Sequence, residues 1–315
     1  MRNKINLDFN DLLICPTPAS NIRSRSECIL PEILPLFTAP MDTVVNEKNL
    51  HIFKDFNICL PRLNRGLIVD ENIFYSYGIE EFENIFIYGN HNFKKACVLI
   101  DVANGHMKRV HQAVKQAKQK YGSDLKLMVG NIAHPETFEI LQDCGADYIR
   151  VGIGNGGGCL TTVQTGVGYP MASLISECNF VKKESKIIAD GGMKNYADII
   201  KALALGADYV MLGRILNRML ESAGETVMID EVTHKRFRGM SSKSVQKDWG
   251  RNTLKTSEGI DKMVLVEYTY VQWVSNFKDY LRSAMSYTGC GTLEEFIGNV
   301  EIIQISNNAY NRFAK

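Results

Sequence analysis

Short apolar or β-branched runs recur along this chain, and helical patterns fill most of the gaps between them. The runs are residues 36–39, 58–60, 85–87, 97–102, 125–129, 148–151, 186–189 and 209–212, and helical periodicity covers 107–121, 135–144 and 195–205. A strand, a helix and a further strand make the unit of a parallel sheet, because the helix returns the chain to the end where the next strand starts. Eight such units in about 200 residues suit a closed (β/α)8 TIM barrel better than an open sheet. The expectation is an α/β protein with one barrel domain over residues 1–315.

A barrel places function in the loops that follow each strand. Those loops carry the unusual residues here: Met41-Asp42 after the first run, Asp101 and Asn104 after the fourth, Asn131 after the fifth, and a glycine-rich loop around Cys159 after the sixth. Asp190-Gly191-Gly192 follows the seventh and Gly213-Arg214 the eighth. These last two loops are where many barrels hold a phosphate, on glycine amides and a helix start. From its residue type alone, Asp190 before two glycines reads equally well as a turn cap.

Composition narrows the class. With 315 residues, 45% hydrophobic and 23% charged, the chain is long enough for one large core. Its formal net charge is +1, it has no long Lys/Arg block and no apolar run of membrane length, so nucleic acid and membrane are not expected partners. The opening, MRNKINLDFNDLLICPTP, lacks the apolar stretch of a secretory signal, and the eight cysteines show no C-x-x-C spacing. They read as reduced cytoplasmic thiols. None of the six histidines falls in a zinc-binding pattern.

Residues 148–170 read YIRVGIGNGGGCLTTVQTGVGYP, with glycine at 152, 154, 156, 157, 158, 166 and 168 and one cysteine, Cys159. Gly152, Gly154 and Gly157 fit the dinucleotide pattern G-x-G-x-x-G. That motif needs its last glycine to open a helix, with an acidic residue about 20 positions on, and here the glycines run into Cys-Leu-Thr-Thr instead. The loop lets backbone approach a ligand closely and presents a single thiol at a strand end.

Beyond residue 220 the alternation stops. Residues 221–270 are polar, contain RGMSS and SEGIDK, and are too long for a plain connection, so an active-site flap is expected there. Residues 271–287 read as a closing helix, and the tail from Gly291 carries no functional signal.

The glycine loop, the Cys-x-Thr and TGVGYP together resemble the IMP dehydrogenase/GMP reductase family, with TGVGYP on the reductase side. The resemblance spans nearly the whole chain, strongest at 97–105, 145–170, 187–213 and 237–259. It implies that Cys159 attacks C2 of a purine nucleotide, that Thr161 relays a proton, and that Glu258 is its acid/base partner; as a lone residue Glu258 would read as a solvated loop charge. It implies ribose binding by Asp190 and phosphate binding by Gly191, Gly192 and Gly213; Arg214, which departs from the family pattern, is a forked guanidinium that can join them as a phosphate ligand. It further implies nucleotide contacts from Met41, Gly239, Met240, Ser241, Ser257 and Gly259. Cofactor contacts are implied for Ser24, Arg25, Asp101, Val102, Ala103, Ile153 and Gly154, although Arg23 and Arg25 read alone as solvated. Backbone carbonyls of Gly154, Gly156 and Cys159 would serve a monovalent cation such as K+, and the family implies a homotetramer.

Within the family, the reductase converts GMP to IMP and ammonia with NADPH, and the dehydrogenase converts IMP to XMP with NAD. Four features favour the reductase: no insertion of regulatory modules interrupts the barrel, DVANG stands at 101–105, the flap between Met240 and Glu258 is short, and Arg251 is followed by Asn252 where dehydrogenases use an Arg-Tyr pair. The departures are Gly157 in place of a phosphate-binding serine, Arg214 in place of glycine, and Phe237 in place of a tyrosine. Leu63-Asn64-Arg65 stands for His-Lys-His, which removes a cofactor lysine, and Thr162 stands for an arginine. They keep open an IMP dehydrogenase, an enzyme of a modified guanine nucleotide, a non-catalytic purine-nucleotide-binding protein, and a flavin-dependent barrel.

Overall fold

The computed structural model describes residues 5–62, 72–92, 95–250 and 252–313. Leu63, Asn64, Arg65 and Arg251 lie outside the described residues.

Eight strands form one parallel sheet: β1 Leu36–Thr38, β2 Ile58–Leu60, β3 Ile73–Tyr77, β4 Ala96–Asp101, β5 Leu125–Ile132, β6 Tyr148–Val151, β7 Lys186–Asp190 and β8 Tyr209–Leu212. From β2 to β8 each strand pairs with the next, β8 pairs with β1, and a bridge from Phe37 to Asn57 joins β1 to the start of β2, so the sheet curls into a nearly closed ring. The seam between β1 and β2 is narrow. There the Asn57 N–H donates to Leu36 O at 2.9 Å, and the Thr38 N–H donates to Asn57 O at 3.0 Å. This is the (β/α)8 barrel expected from the alternation of elements.

Side-chain alternation on each strand divides the apolar residues into two cores. Phe37, Phe74, Cys97, Leu99, Met128, Ile188 and Met211 fill the barrel interior. The opposite faces, including Val98, Ile100, Leu127, Val129, Ile149 and Val151, belong to the larger core under the helices. α1 (Lys108–Tyr121) buries Val110, Ala113, Val114 and Ala117, spaced three, four and seven apart, which is the stripe of a surface helix. α2 (Pro135–Asp143) begins on a proline whose missing N–H costs nothing at a helix start. α3 (Met171–Val181) and α4 (Tyr196–Ala204) follow, and Asn195 caps α4 by accepting the Asp198 N–H at 3.0 Å.

One expected strand is corrected. Residues 85–87 lie in a helical turn, Glu83–Ile87, that continues Ile79–Phe82, and the third strand is Ile73–Tyr77. Phe82 and Phe86, four residues apart, stack with ring centroids 5.0 Å apart, so the apolar run at 85–87 is part of a helical stripe. A three-residue run cannot reveal its own period.

After β8, the chain leaves the barrel pattern. β9 (Thr226–Ile229), β10 (Val232–Arg238) and β11 (Asp261–Leu265) form an antiparallel meander, with α5 (Lys243–Asp248) between the last two. α6 (Tyr270–Thr288) then packs back on the barrel, burying Trp273, Phe277, Leu281 and Met285, and opens with a Thr269/Gln272 capping box.

Candidate active site

A cavity of about 530 Å³ opens at the carboxyl ends of the strands, within the size range of small-molecule sites. Its floor is the uppermost layer of the barrel interior. Asp101, Arg150 and Asp190 project there from β4, β6 and β7. The Arg150 guanidinium donates to Asp101 at 2.7 Å and to Asp190 at 2.8 Å. Burial pulls the pKa of Arg150 down, but the charges of Asp190 and Asp101 outweigh it and hold the guanidinium well above its ordinary value. Asn131 donates to the same Asp190 oxygen, Oδ2, at 2.7 Å. Among the described residues both bonds to Asp190 go to Oδ2, which leaves Oδ1 as acceptor for a ligand hydroxyl.

Above this floor the loop after β6 carries the thiol. Cys159 Sγ lies 3.1 Å from Thr161 Oγ1, and that hydroxyl donates to Glu258 Oε2 at 2.6 Å. Glu258 comes from a segment 97 residues away in sequence from Thr161. Backbone pairing holds it there: the Leu160 N–H donates to Glu258 O at 2.7 Å, the Ile260 N–H donates to Gly158 O at 3.0 Å, and Cys159 and Gly259 form an antiparallel bridge. The 258–260 strap is thus a short extra strand on the cysteine loop.

The neighbouring turn is tied down by charge. Arg238 at the end of β10 forks onto the Asp42 carboxylate and pairs with Asp248 at 2.6 Å. Its hydrogen bond to Asp42 raises its pKa more than burial lowers it. Gln246, 4% exposed, accepts the Lys255 N–H at 2.8 Å and donates to Ser241 O at 3.2 Å. These contacts fix the Gly239-Met240-Ser241 turn and the strap of Glu258 against each other.

Most sequence-expected positions meet in this cavity. Met41, Cys159, Thr161 and Glu258 line it, as do Asp190, Gly191, Gly192, Gly213 and Arg214. So do Gly239, Met240 and Ser241 from the meander, and Asp101, Val102, Ala103, Ile153, Gly154 and Gly156 on the remaining wall. Ser257 and Gly259 sit behind the wall, where the Ser257 hydroxyl donates to Gly259 O at 2.7 Å. Ser24 and Arg25 are not brought to the cavity of this chain: Ser24 caps a short helical turn, and Arg25 pairs with Asp279 on α6 at 3.3 Å.

Among the lining residues that carry no expectation from the sequence are Arg62, Arg150, Gln246, Trp249, Lys255 and Thr256. A charged residue inside the apolar strand 148–151 was a readable signal for Arg150, since an inward charge needs inward partners. Arg62 directly precedes the Leu63-Asn64-Arg65 stretch, so a cation does stand in this wall. Gln246 and Trp249 have no such signal.

The donor set on the β4 wall, a carboxylate with flanking backbone, suits a nicotinamide dinucleotide. In the oxygen set expected for a monovalent cation, Gly156 O accepts the Cys159 N–H at 2.9 Å and keeps a second lone pair. No group of His, Cys, Asp or Glu among the described residues forms a metal cluster, and no helix among them is long and apolar enough to cross a membrane.

Comparison with known proteins identifies the family. A family model for the IMP dehydrogenase / GMP reductase domain matches residues 91–312. GMP reductase 2 of Homo sapiens is 29% identical over 343 residues, covering 99% of this chain and 98% of that protein. The GMP reductase of Staphylococcus carnosus is 30% identical over 327 residues, covering 96% and 98%. The inosine-5'-monophosphate dehydrogenase of Chlorobaculum parvum is 36% identical over 224 residues, which is 67% of this chain but 45% of that enzyme, so the chain spans about half the length of such dehydrogenases. With a match over more than half its length and a barrel whose mouth gathers the cysteine, threonine and glutamate, the chain belongs to the IMP dehydrogenase/GMP reductase family.

Proposed function

We propose that this protein is a GMP reductase, converting GMP to IMP and ammonia at the expense of NADPH. The observation that carries the reading is the hydrogen-bonded series Cys159, Thr161, Glu258. With the thiol donating to Thr161 and Thr161 donating to Glu258, one concerted shift moves the thiol proton to the carboxylate. That shift makes the nucleophile and loads the acid together.

The Cys159 thiolate then adds to C2 of guanine, and Glu258 returns the proton through Thr161 to the 2-amino group. Ammonia leaves, and the purine is held as a thioimidate on Cys159. When bound, the cofactor supplies a hydride to C2. The C2–S bond breaks, IMP is released and the thiolate is restored, for a balance of GMP, NADPH and two protons giving IMP, NADP+ and ammonium. Arg150 and Asn131 hold the Asp190 carboxylate turned so that its remaining oxygen takes a ribose hydroxyl. Arg214 supplies a guanidinium for the phosphate, a charged, forked donor in place of a hydroxyl.

The match along the full length of reductases supports this over an IMP dehydrogenase acting with NAD. Arg214 beside Gly157 supports a second reading, in which the substrate is a modified guanine nucleotide. The deciding experiment follows absorbance of the reduced cofactor with GMP and NADPH, and separately with IMP and NAD, each beside Cys159→Ala. Oxidation with GMP that yields IMP and vanishes in the variant is expected. NAD reduction with IMP would reassign the enzyme as a dehydrogenase, and silence in both with GMP still bound would move the search to modified nucleotides. The homotetramer, the cytoplasmic location, the flap motion of 221–270 and any K+ requirement belong to the same proposal.

A further inference from the structure

Strand order divides the mouth of the barrel into halves. The loops after β6, β7, β8 and β1 bring Cys159, Gly191, Arg214 and Met41, which is the half the nucleotide would use. The carboxyl ends of β2, β3, β4 and β5 make the other half, and β2 stands diametrically across the ring of eight from β6. On that far side two unassigned side chains meet. Arg62, two residues beyond β2, holds its guanidinium carbon 5.6 Å from the ring centroid of Trp249, which follows α5. This is cation–π range.

The pair is built into its place. Arg62 Nε lies 2.9 Å from a Glu81 carboxylate oxygen, and a Cβ on Gly78 would stand 2.7 Å from Arg62 Nη1, so the bare backbone of Gly78 is what lets the guanidinium lie there. Both side chains line the cavity. Trp249 is 36% exposed, whereas the other tryptophan, Trp273, is 2% exposed. A half-open indole beside a cation in a cavity wall is a surface for a flat aromatic ring that carries an anion.

We infer that Trp249 and Arg62 seat the distal, adenosine-phosphate half of the dinucleotide hydride donor, with adenine stacked on the indole and a phosphate on the guanidinium. The inference rests on the proposed reading in that the cofactor's reactive end must reach the base held at Cys159. A dinucleotide extended from there crosses the mouth and ends at Arg62 and Gly78, just beyond β2 and β3. The seat is shared between barrel and meander, so the adenosine half also fastens the segment that carries Glu258.

The test uses ADP-ribose, which has the distal half and no nicotinamide. It is titrated into the whole protein, with tryptophan fluorescence and calorimetry as readouts. The expected result is binding with a change in emission that is absent in Trp249→Phe, and about tenfold weaker binding in Trp249→Ala and in Arg62→Met. GMP affinity, measured by calorimetry, is expected to stay within twofold in all three variants, which also shows that they fold. Binding of ADP-ribose that is as tight in Trp249→Ala and Arg62→Met as in the parent would overturn the inference, as would no binding at all. The titration contains no guanine nucleotide, so it decides the seat even if GMP proves not to be the substrate.

Discussion

Arg214 lies across the backbone of Gly157, so closely that a Cβ on Gly157 would stand 2.7 Å from Arg214 Cδ and 3.4 Å from its Cβ. Two departures from the family pattern are therefore one exchange: the arginine occupies the space that a side chain at 157 would need. The atoms met belong to the stem of Arg214, so the whole side chain would have to swing away to admit a serine. Gly157→Ser alone and Arg214→Gly alone are each expected to raise KM for the nucleotide about tenfold, whereas the double variant recovers most of it. Strict additivity of the two effects in a double-mutant cycle would show that the sites are independent.

A similar relationship holds one residue on. Cε1 and Cζ of Phe237 each lie 3.1 Å from where a Cβ on Gly158 would be, and Phe237 is 1% exposed. A tyrosine hydroxyl would extend from Cζ at this close contact, where Phe237 also borders the cavity. Phe237→Tyr is expected to destabilise the protein by about 1–3 kcal/mol, the cost of overpacking. A lower urea midpoint with unchanged slope is the measurement.

The proton path gives a graded prediction. Thr161→Val and Glu258→Gln should each lower kcat about 10²-fold or more with KM for GMP little changed, because each breaks proton transfer and not binding. Cys159→Ala should abolish turnover while GMP still binds by calorimetry. A large rise in KM with normal kcat in Thr161→Val would assign that residue to binding instead.

Arg150 is the largest single risk to stability in the site. Replacing it with methionine leaves Asp101 and Asp190 facing each other at the floor with no cation between them, and removal of one partner from a buried ionic group costs about 3–5 kcal/mol. Equilibrium unfolding of Arg150→Met should show such a loss. Adding Asp101→Asn to it should recover part of the difference.

His106 links the loops after β4 and β5. Its Nε2 accepts the Ala133 N–H at 3.0 Å, and its Nδ1 lies 2.7 Å from Thr137 Oγ1, a pattern that requires the neutral ring. Burial, and then His134 and His111, lower its pKa below the ordinary value of 6.5. The unfolded chain takes up the proton first as pH falls, so the stabilising contribution is complete above about pH 6.5 and is lost on further acidification. Hydrogen exchange at Ala133, corrected for its intrinsic pH dependence, should show less protection at pH 5 than at pH 7.5. His106→Gln should remove the difference.

The barrel was legible because its cause is local. Period-two and helical patterns are properties of a few adjacent residues, and seven of the eight expected runs became strands. The exception at 85–87 is a run too short to carry a period. The cysteine loop was equally readable, since its glycines, Cys159 and Thr161 are contiguous. Arg62, Gln246 and Trp249 were not, because what makes them functional candidates is the company they keep across the cavity.

Sequence by itself determined the strand and helix units, the position of the thiol at a strand end, and the glycine turns at the mouth, all of which depend on neighbours in the chain. Tertiary structure alone decided that Glu258 meets Thr161 across 97 residues, that Arg150 stands between two aspartates from different strands, and that Arg214 fills the space above Gly157. Such contacts depend on ring closure and on the strap's pairing with the cysteine loop, and neither is encoded in any short segment. Composition can supply a carboxylate and a thiol; only packing sets them one hydroxyl apart.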